Sequence, residues 1–242
     1  MKFRRFLVVG IIFIGIAVTA YAVYANYGKD RGSESFIMAF GDSLTYGQGD
    51  RKEQGYVGKL ERELNKKYPE RKFIVENHGV KGRESAGVLK ELAIPSTAVK
   101  LKKADYFILY IGTNDLINSN GGNLKKIDKA RIEKGKERYF RNVKMILDIL
   151  RKSNSEAPIL VIGLYNPFPE GGDKIEPLFD EWNKATIELL KSERNVTYIP
   201  TNDLFKGKEK KQYFSDALHL NKNGYELLEE RILQEYSFGN NK

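Results

Sequence analysis

The stretch YFILYIGTND, at residues 106–115, is the clearest indication of how this chain folds. Its first six residues are almost continuously apolar, which is typical of a parallel strand that helices cover on both faces. The apolar run stops at Gly112, and two polar residues, Asn114 and Asp115, follow closely. In a doubly wound sheet the functional loops follow the carboxyl ends of the strands. The stretch therefore predicts a buried parallel strand that ends beside a functional site.

Short apolar runs and helical patterns alternate along the rest of the chain. Strands are predicted at 36–40, 73–76, 106–111, 159–164 and 196–199, and helices at 56–68, 84–92, 138–152, 179–194 and 224–236. This alternation predicts an α/β fold, namely a three-layer α/β/α, flavodoxin-like domain with about five parallel strands. Two longer segments, 116–137 and 165–177, follow predicted strands, and loops in that position commonly carry function.

The N-terminal residues 1–25 predict one transmembrane helix, which serves as a membrane anchor or uncleaved signal. A short basic start precedes about nineteen apolar or small residues without a charge, enough to cross a bilayer as a helix. Because the positive charges precede the span, the rest of the chain is expected outside the cytoplasm. Ala20 and Ala22 form an A-x-A pattern, so cleavage and secretion is the alternative. A flexible tether is expected at 26–35 and a single domain at 36–242.

Composition excludes several classes of site. Cysteine is absent from the 242 residues, which rules out disulfides, thiolate zinc sites and cysteine nucleophiles. The two histidines, His78 and His219, lack HExxH spacing, so no metal site is predicted. The net charge is +9, but lysine and arginine are scattered among glutamates without a nucleic-acid-binding motif. We therefore predict no nucleic-acid partner, and the sequence leaves the oligomeric state open.

A serine and a histidine lie where a catalytic pair is expected. Ser43 lies on a predicted tight turn after the first strand, which suits a nucleophile. The alternative is a serine that caps the next helix. Asp216 and His219 precede the last predicted helix, and their spacing lets the carboxylate reach the imidazole. They are a candidate general base with its orienting carboxylate, or else an ordinary turn histidine.

Glycines and amides follow the two neighbouring strands. Asn77, His78 and Gly79 come after the second predicted strand, and Gly112 and Asn114 come after the third. Such groups can donate hydrogen bonds to a developing oxyanion, although each alone is equally typical of a turn. Their conjunction with the serine and histidine patterns favours a catalytic site. We assign His78 a local hydrogen-bonding or packing role and leave a substrate contact open.

Four motifs resemble those of the SGNH, or GDSL-type, esterase and lipase family: GDSLTYGQG at 41–49, NHGVKG at 77–82, GTND at 112–115 and DALH at 216–219. The resemblance implies that Ser43 is the nucleophile, His219 the general base and Asp216 its partner. It also implies an oxyanion hole built from the backbone N–H groups of Ser43 and Gly79 and the Asn114 side chain. It implies no cofactor. The G-x-S-x-G turn of α/β-hydrolases is absent around Ser43, so the two folds are distinct.

The motifs together predict a serine ester hydrolase of the lipase or acylhydrolase type, acting on small-molecule or lipid esters outside the cytoplasmic membrane. The alternative substrate is an O-acetyl group on a cell-envelope glycan. Tyr165 and Phe168 are predicted to form an apolar wall for an acyl chain or a platform for a sugar ring. A non-enzymatic alternative is a flavodoxin-like binding module with a phosphate or flavin after the first strand. Asp42 in that loop argues against it, because a carboxylate repels phosphate.

Overall fold

The computed structural model describes residues 34–52, 54–168 and 175–239. The predicted anchor at 1–25 and most of the predicted tether at 26–35 lie outside these residues. Along the described part of the chain, no helix is both long enough and apolar enough to cross a bilayer. The first strand begins at Glu34, slightly before the predicted start of the domain.

Parallel strands form one sheet at the centre of the domain. Their bounds are Glu34–Gly41 (β1), Lys72–Gly79 (β2), Tyr106–Tyr110 (β3), Ile159–Ile162 (β4) and Val196–Ile199 (β5). The strand order is β2-β1-β3-β4-β5, which confirms the predicted α/β fold with a five-stranded parallel sheet. β3 and β4 are buried at every residue, as expected for strands with helices on both faces. The chain reverses its direction across the sheet at β1, and this is where α/β proteins bind ligands.

Helices cover both faces of the sheet. They are Ser43–Tyr46 (α1), Gly55–Lys67 (α2), Ser85–Leu92 (α3), Pro95–Leu101 (α4), Thr113–Ser119 (α5), Lys129–Ser153 (α6), Glu176–Leu190 (α7), Lys210–Tyr213 (α8) and Lys222–Glu235 (α9). α2 packs with α9, whereas α3 and α5 pack with α6, which also contacts α7. Because parallel crossovers are right-handed, the crossover through α2 and the later crossovers lie on opposite faces. The fold therefore has the predicted three layers.

The long helix α6 buries one face and exposes the other. Tyr139, Val143, Ile146 and Leu150 are buried and recur at intervals of three or four residues. The side chain of Asp128 accepts a backbone N–H of the first turn and so begins the helix. The helix begins at Lys129, well before the predicted start at 138. Its first turns are mostly polar, so the apolar periodicity that predicts a helix begins only later.

The segments that follow β3 and α3 differ from the prediction. The segment 116–137, predicted as a long loop, is helical at both ends, because α5 runs to Ser119 and α6 begins at Lys129. The sequence also does not predict α4, which begins at Pro95. Proline at the first helical position is a start signal, since its missing N–H would be unpaired there in any case.

Candidate active site

Ser43 lies at the carboxyl end of β1 as the first residue of the short helix α1. The side chain of Asp42 accepts the N–H of Leu44 at 2.9 Å and so caps the helix. Ser43 is largely buried, with 4% of the residue exposed. Because Asp42 is the cap, the serine hydroxyl remains available for chemistry.

The hydroxyl of Ser43 meets the imidazole of His219, although 176 positions separate the two residues. Oγ lies 3.0 Å from Nε2. On the other side of the ring, Nδ1 lies 2.8 Å from Oδ2 and 3.0 Å from Oδ1 of Asp216. Because the carboxylate accepts the Nδ1 proton, Nε2 is the acceptor that faces the serine. The structure thus brings the three predicted catalytic residues into contact.

Asp216 is held ionised by its own turn. Partial burial opposes ionisation, but the N–H groups of His219 and Leu218 each donate to Oδ1 at 2.8 Å. With the bond from the imidazole, they lower the pKa of Asp216 below its ordinary value. An ionised carboxylate at this position stabilises the imidazolium that forms when His219 takes a proton.

A close backbone approach joins the two loops that carry Ser43 and His219. The N–H of Ser215 donates to the carbonyl of His219 at 2.9 Å and closes the turn. Gly49, from the loop after α1, packs against this turn, and a Cβ there would lie 2.2 Å from the carbonyl oxygen of Leu220. Its φ of +97° also favours glycine. The last glycine of the GDSLTYGQG motif therefore permits this contact.

The predicted oxyanion donor Asn114 lies beside the serine turn. Its Nδ2 donates to the carbonyl of Arg83 at 3.0 Å and, more weakly, to Oδ2 of Asp42 at 3.3 Å. The N–H of Ser43, at the first position of α1, has no acceptor inside that helix. The Asn114 amide therefore lies next to Asp42, the residue that precedes Ser43, at the carboxyl ends of β1 and β3.

The structure corrects the third predicted donor, Gly79. It is the last residue of β2, pairs with Gly41, and donates its N–H to Oδ1 of Asn77 at 2.8 Å. The prediction for Gly79 is therefore wrong, because its N–H is already used. Gly82 has a φ of +73°, a Cβ there would meet no atom within 4 Å, and its N–H has no partner among the described residues. Its place as the final glycine of the motif at 77–82 is the signal that could have identified it.

Two buried carboxylates, those of Asp42 and Asp115, lie at the same edge of the sheet. Burial raises the pKa of Asp42 to about 7, although the N–H of Leu44 partly offsets it. Burial also raises the pKa of Asp115, which accepts the N–H and the hydroxyl of Ser85 at 2.9 and 2.5 Å. Asp115 thus fixes the start of α3. The Asp42 carboxylate occupies the helix start that a phosphate would need in a flavodoxin-like module.

His78 lies in a local polar cluster. Its ring stacks on Phe40 with centroids 4.8 Å apart, and its nitrogens contact Glu91 and Glu76 at 2.5 and 3.1 Å. Burial lowers the pKa of His78, but the two carboxylates outweigh burial and raise it. Arg83 joins the cluster through a bond to Glu91 and another to the His78 carbonyl. No cluster among the described residues, this one included, is arranged to hold a metal ion.

The two predicted substrate residues differ in their surroundings. Tyr165 is 3% exposed, and its ring packs on Phe205 and Phe214 with centroids 5.0 and 5.7 Å away. A substrate wall at Tyr165 is therefore contradicted, because the ring fills the core. Phe168 is partly exposed, and its role stays a prediction. The adjoining residues 169–174 lie outside the described part of the chain.

Comparison with known proteins gives one family. The model of the GDSL-like lipase/acylhydrolase family matches residues 39–227. The uncharacterized protein YpmR of Bacillus subtilis is 27% identical, and the alignment covers 97% of this chain and 96% of that protein. The spore germination lipase LipC of Bacillus licheniformis is 29% identical, with 80% of this chain and 92% of that protein covered.

The solved structures that match this chain include a lipase and an esterase. The lipase Lip_vut3 from a goat rumen metagenome matches with a TM-score of 0.69 and 28% identity, covering 83% of this chain and 97% of that one. The acetylxylan esterase Axe2 of Geobacillus stearothermophilus matches with a TM-score of 0.67 and 18% identity, covering 85% and 95%. At 18% identity, the similarity to Axe2 concerns the fold alone.

Proposed function

The chain belongs to the GDSL-like lipase/acylhydrolase family and is an ester hydrolase of that type, and we propose that it cleaves carboxylic esters through an acyl-enzyme on Ser43. The proposal depends on the 3.0 Å contact between Oγ of Ser43 and Nε2 of His219. His219 takes the hydroxyl proton as Oγ attacks the acyl carbonyl, and then gives it to the departing alcohol. A water molecule, activated by the same nitrogen, hydrolyses the acyl-enzyme. Asp216 stabilises the imidazolium in both steps.

Three donors are assigned to the oxyanion in this proposal: the N–H groups of Ser43 and Gly82 and the amide of Asn114. The loop of Gly82 adjoins Asn114, since the carbonyl of Arg83 accepts from Nδ2. The 3.3 Å bond from Asn114 to Asp42 is long, so the amide can exchange it for an oxyanion. Preorganised donors of this kind typically contribute about 3 to 4 kcal/mol each to transition-state stabilisation.

Removal of the nucleophile and of the base tests the proposal. We expect Ser43→Ala and His219→Ala each to lower kcat on a p-nitrophenyl ester at least about a thousandfold. Ser192→Ala, at an exposed serine of the C-terminal half, is the matched control and should retain wild-type turnover. Intact mass after fluorophosphonate treatment should show one adduct on the wild type and none on Ser43→Ala.

Turnover by Ser43→Ala would contradict the assignment. An unlabelled wild type with flavin absorbance after purification would instead support the flavodoxin-like binding module. Labelling and flavin absorbance are both measured on the purified wild type.

The substrate class is the finer part of the proposal. Lipid or other small acyl esters are the first candidate, and the likeness of fold to an acetylxylan esterase makes O-acetyl groups of an envelope glycan the second. Turnover of p-nitrophenyl esters from acetate to palmitate, with acetate release from acetylated oligosaccharides, separates the two. A kcat/KM that rises with chain length supports lipid esters, whereas acetate preference with release from the oligosaccharides supports glycans.

We also propose that the enzyme acts outside the cytoplasmic membrane. The support is the uncharged apolar run within residues 1–25, which follows a basic start. The expected result is an enzyme in the membrane fraction that external protease degrades in intact protoplasts. Mass measurement of the mature N-terminus distinguishes a retained anchor from a cleaved signal. Protection from protease until lysis would contradict the proposed orientation.

A further inference from the structure

The turn between Asp216 and His219 contains two peptide groups that donate to the same carboxylate oxygen. Their N–H groups, those of Leu218 and His219, both donate to Oδ1 of Asp216 at 2.8 Å. In a trans peptide the N–H and C=O bonds point in opposite directions. The carbonyls of the same two groups, on Ala217 and Leu218, therefore point away from the carboxylate.

Both carbonyls accept a hydrogen bond from outside the turn. Nζ of Lys210 donates to the carbonyl of Ala217 at 2.8 Å, and the hydroxyl of Tyr165 donates to the carbonyl of Leu218 at 2.8 Å. Burial raises the pKa of Tyr165 well above its ordinary value, so the hydroxyl keeps its proton. Each peptide group thus lies between a donor on one side and the Asp216 carboxylate on the other.

The Lys210 ammonium is itself fixed in place. It donates to the carbonyl of Pro167 at 2.7 Å, and it lies 4.7 and 5.2 Å from the ring centroids of Phe168 and Phe214. A bond from an ammonium to a carbonyl is roughly twice as strong as one between neutral groups. It also polarises the peptide, which strengthens the bond that the opposite N–H donates.

We propose that Lys210 and Tyr165 are positioning residues for the catalytic base. They hold the two peptide groups that hold Asp216, and through that carboxylate they set the imidazole of His219 against Ser43. The Asp216 side chain is half exposed, and its hydrogen bonds within the described residues come from its own turn, so the turn needs an anchor from elsewhere in the fold. The inference rests on the proposed function.

Substitution of each donor tests the proposal. Lys210→Met removes the ammonium and keeps an unbranched side chain, and Tyr165→Phe removes one oxygen. We expect each to lower kcat by about 10- to 100-fold with KM within about twofold, because a misplaced base loses rate rather than binding. Titration with a fluorophosphonate gives the concentration of reactive serine, so kcat is expressed per reactive site. If Lys210→Met does not fold, Tyr165→Phe carries the test alone.

The Nδ1 proton of His219 gives a readout that a purely structural role would not change. The chain has two histidines, so the imidazole signals are assigned with a single histidine variant. In the wild type we expect a slowly exchanging Nδ1 proton resonance, because the proton lies between the ring and Asp216. In both variants we expect faster exchange with water and a broadened signal at unchanged melting temperature.

Two further variants separate position from charge and from general stability. Lys210→Arg keeps a cationic donor and should recover kcat to within about fivefold of the wild type. Lys211→Met, at an exposed neighbour in α8, is the matched control and should retain full activity. The proposal is overturned if Lys210→Met and Tyr165→Phe keep wild-type kcat per reactive site. A wild type whose Ser43 does not react would refute the proposed function instead.

Discussion

Asp42→Asn should change how the stability of the domain depends on pH. Asp42 is 1% exposed, and burial raises its pKa from an ordinary value of 3.8 to about 7. The N–H of Leu44 lowers this pKa in part, and the charge of Asp115 raises it further. Between about pH 4 and pH 7 the folded protein therefore keeps a proton at Asp42 that the unfolded chain has already lost.

The sign and size of this change in the free energy of unfolding follow from proton linkage. Between pH 4 and pH 7 the unfolded chain binds fewer protons at Asp42 than the folded protein, so stability falls as pH rises and levels off above about pH 7. A pKa difference of one corresponds to about 1.4 kcal/mol, so the full effect of this group is about 4 kcal/mol. About 2.5 kcal/mol of it falls between pH 5 and pH 7.5. Asparagine cannot ionise, so the variant lacks this contribution.

Urea unfolding at pH 5.0 and pH 7.5 measures the effect. The free energy of unfolding of Asp42→Asn relative to the wild type should rise by about 2 to 3 kcal/mol between the two pH values. Glu188→Gln, at an exposed carboxylate of α7, is the control and should change by less than about 0.5 kcal/mol. A change below about 1 kcal/mol for Asp42→Asn would refute the argument from burial.

Three further results are expected. Gly49→Ala should lower the free energy of unfolding by at least about 2 kcal/mol and reduce kcat, because its φ is positive and its Cβ would collide with Leu220; an unchanged melting temperature would contradict this. Asp216→Asn should lower kcat about 10²- to 10⁴-fold, because an amide that donates to Nδ1 selects the wrong tautomer of His219; a loss below tenfold in the ester assay would exclude that role. Glu229 is buried between α2 and α9, and burial, followed by the charges of neighbouring glutamates, raises its pKa to about 7. Glu229→Gln should therefore gain at least about 1 kcal/mol at pH 8 relative to pH 5, with unchanged turnover, and equal gains at both pH values would contradict it.

The sequence predicts the sheet, and the position of Ser43 and Asn114 at one edge of it, for a physical reason. Polar residues after apolar runs mark the ends of parallel strands, and those ends share one edge of the sheet. The contact of Ser43 with His219, 176 positions away, is implied instead by the resemblance of the two motifs that carry them, because His219 does not follow a predicted strand.

The prediction for Gly79 failed because the end of β2 is not visible in the sequence. Asn77 and His78 are polar, which indicates a loop, yet β2 is an edge strand whose side chains are partly exposed. The strand therefore continues to Gly79, and its pairing with Gly41 fixes the backbone there. Periodicity cannot locate this end, because polar residues are tolerated in an edge strand.

Tyr165 shows a different limit. An aromatic residue after a strand is compatible with a ligand wall and with a core position, and composition does not distinguish them. The core position results from Phe205 and Phe214, which lie 40 and 49 positions later and cover the ring. Such packing depends on where the segment between β5 and α9 lies against the sheet, and local sequence patterns do not predict this.

The burial of Asp42 has opposite effects on stability and on the oxyanion site. An ionised carboxylate 3.3 Å from Nδ2 of Asn114 would compete with an oxyanion for that amide. Burial disfavours the ionised form, so this competition weakens as pH falls below about 7. The same Asp42 side chain caps α1 through the N–H of Leu44 and so fixes the turn that carries Ser43. The ionised form of Asp42 thus both costs stability and competes for Asn114, and burial disfavours that form below about pH 7, which explains why a carboxyl at this position is compatible with the proposed chemistry.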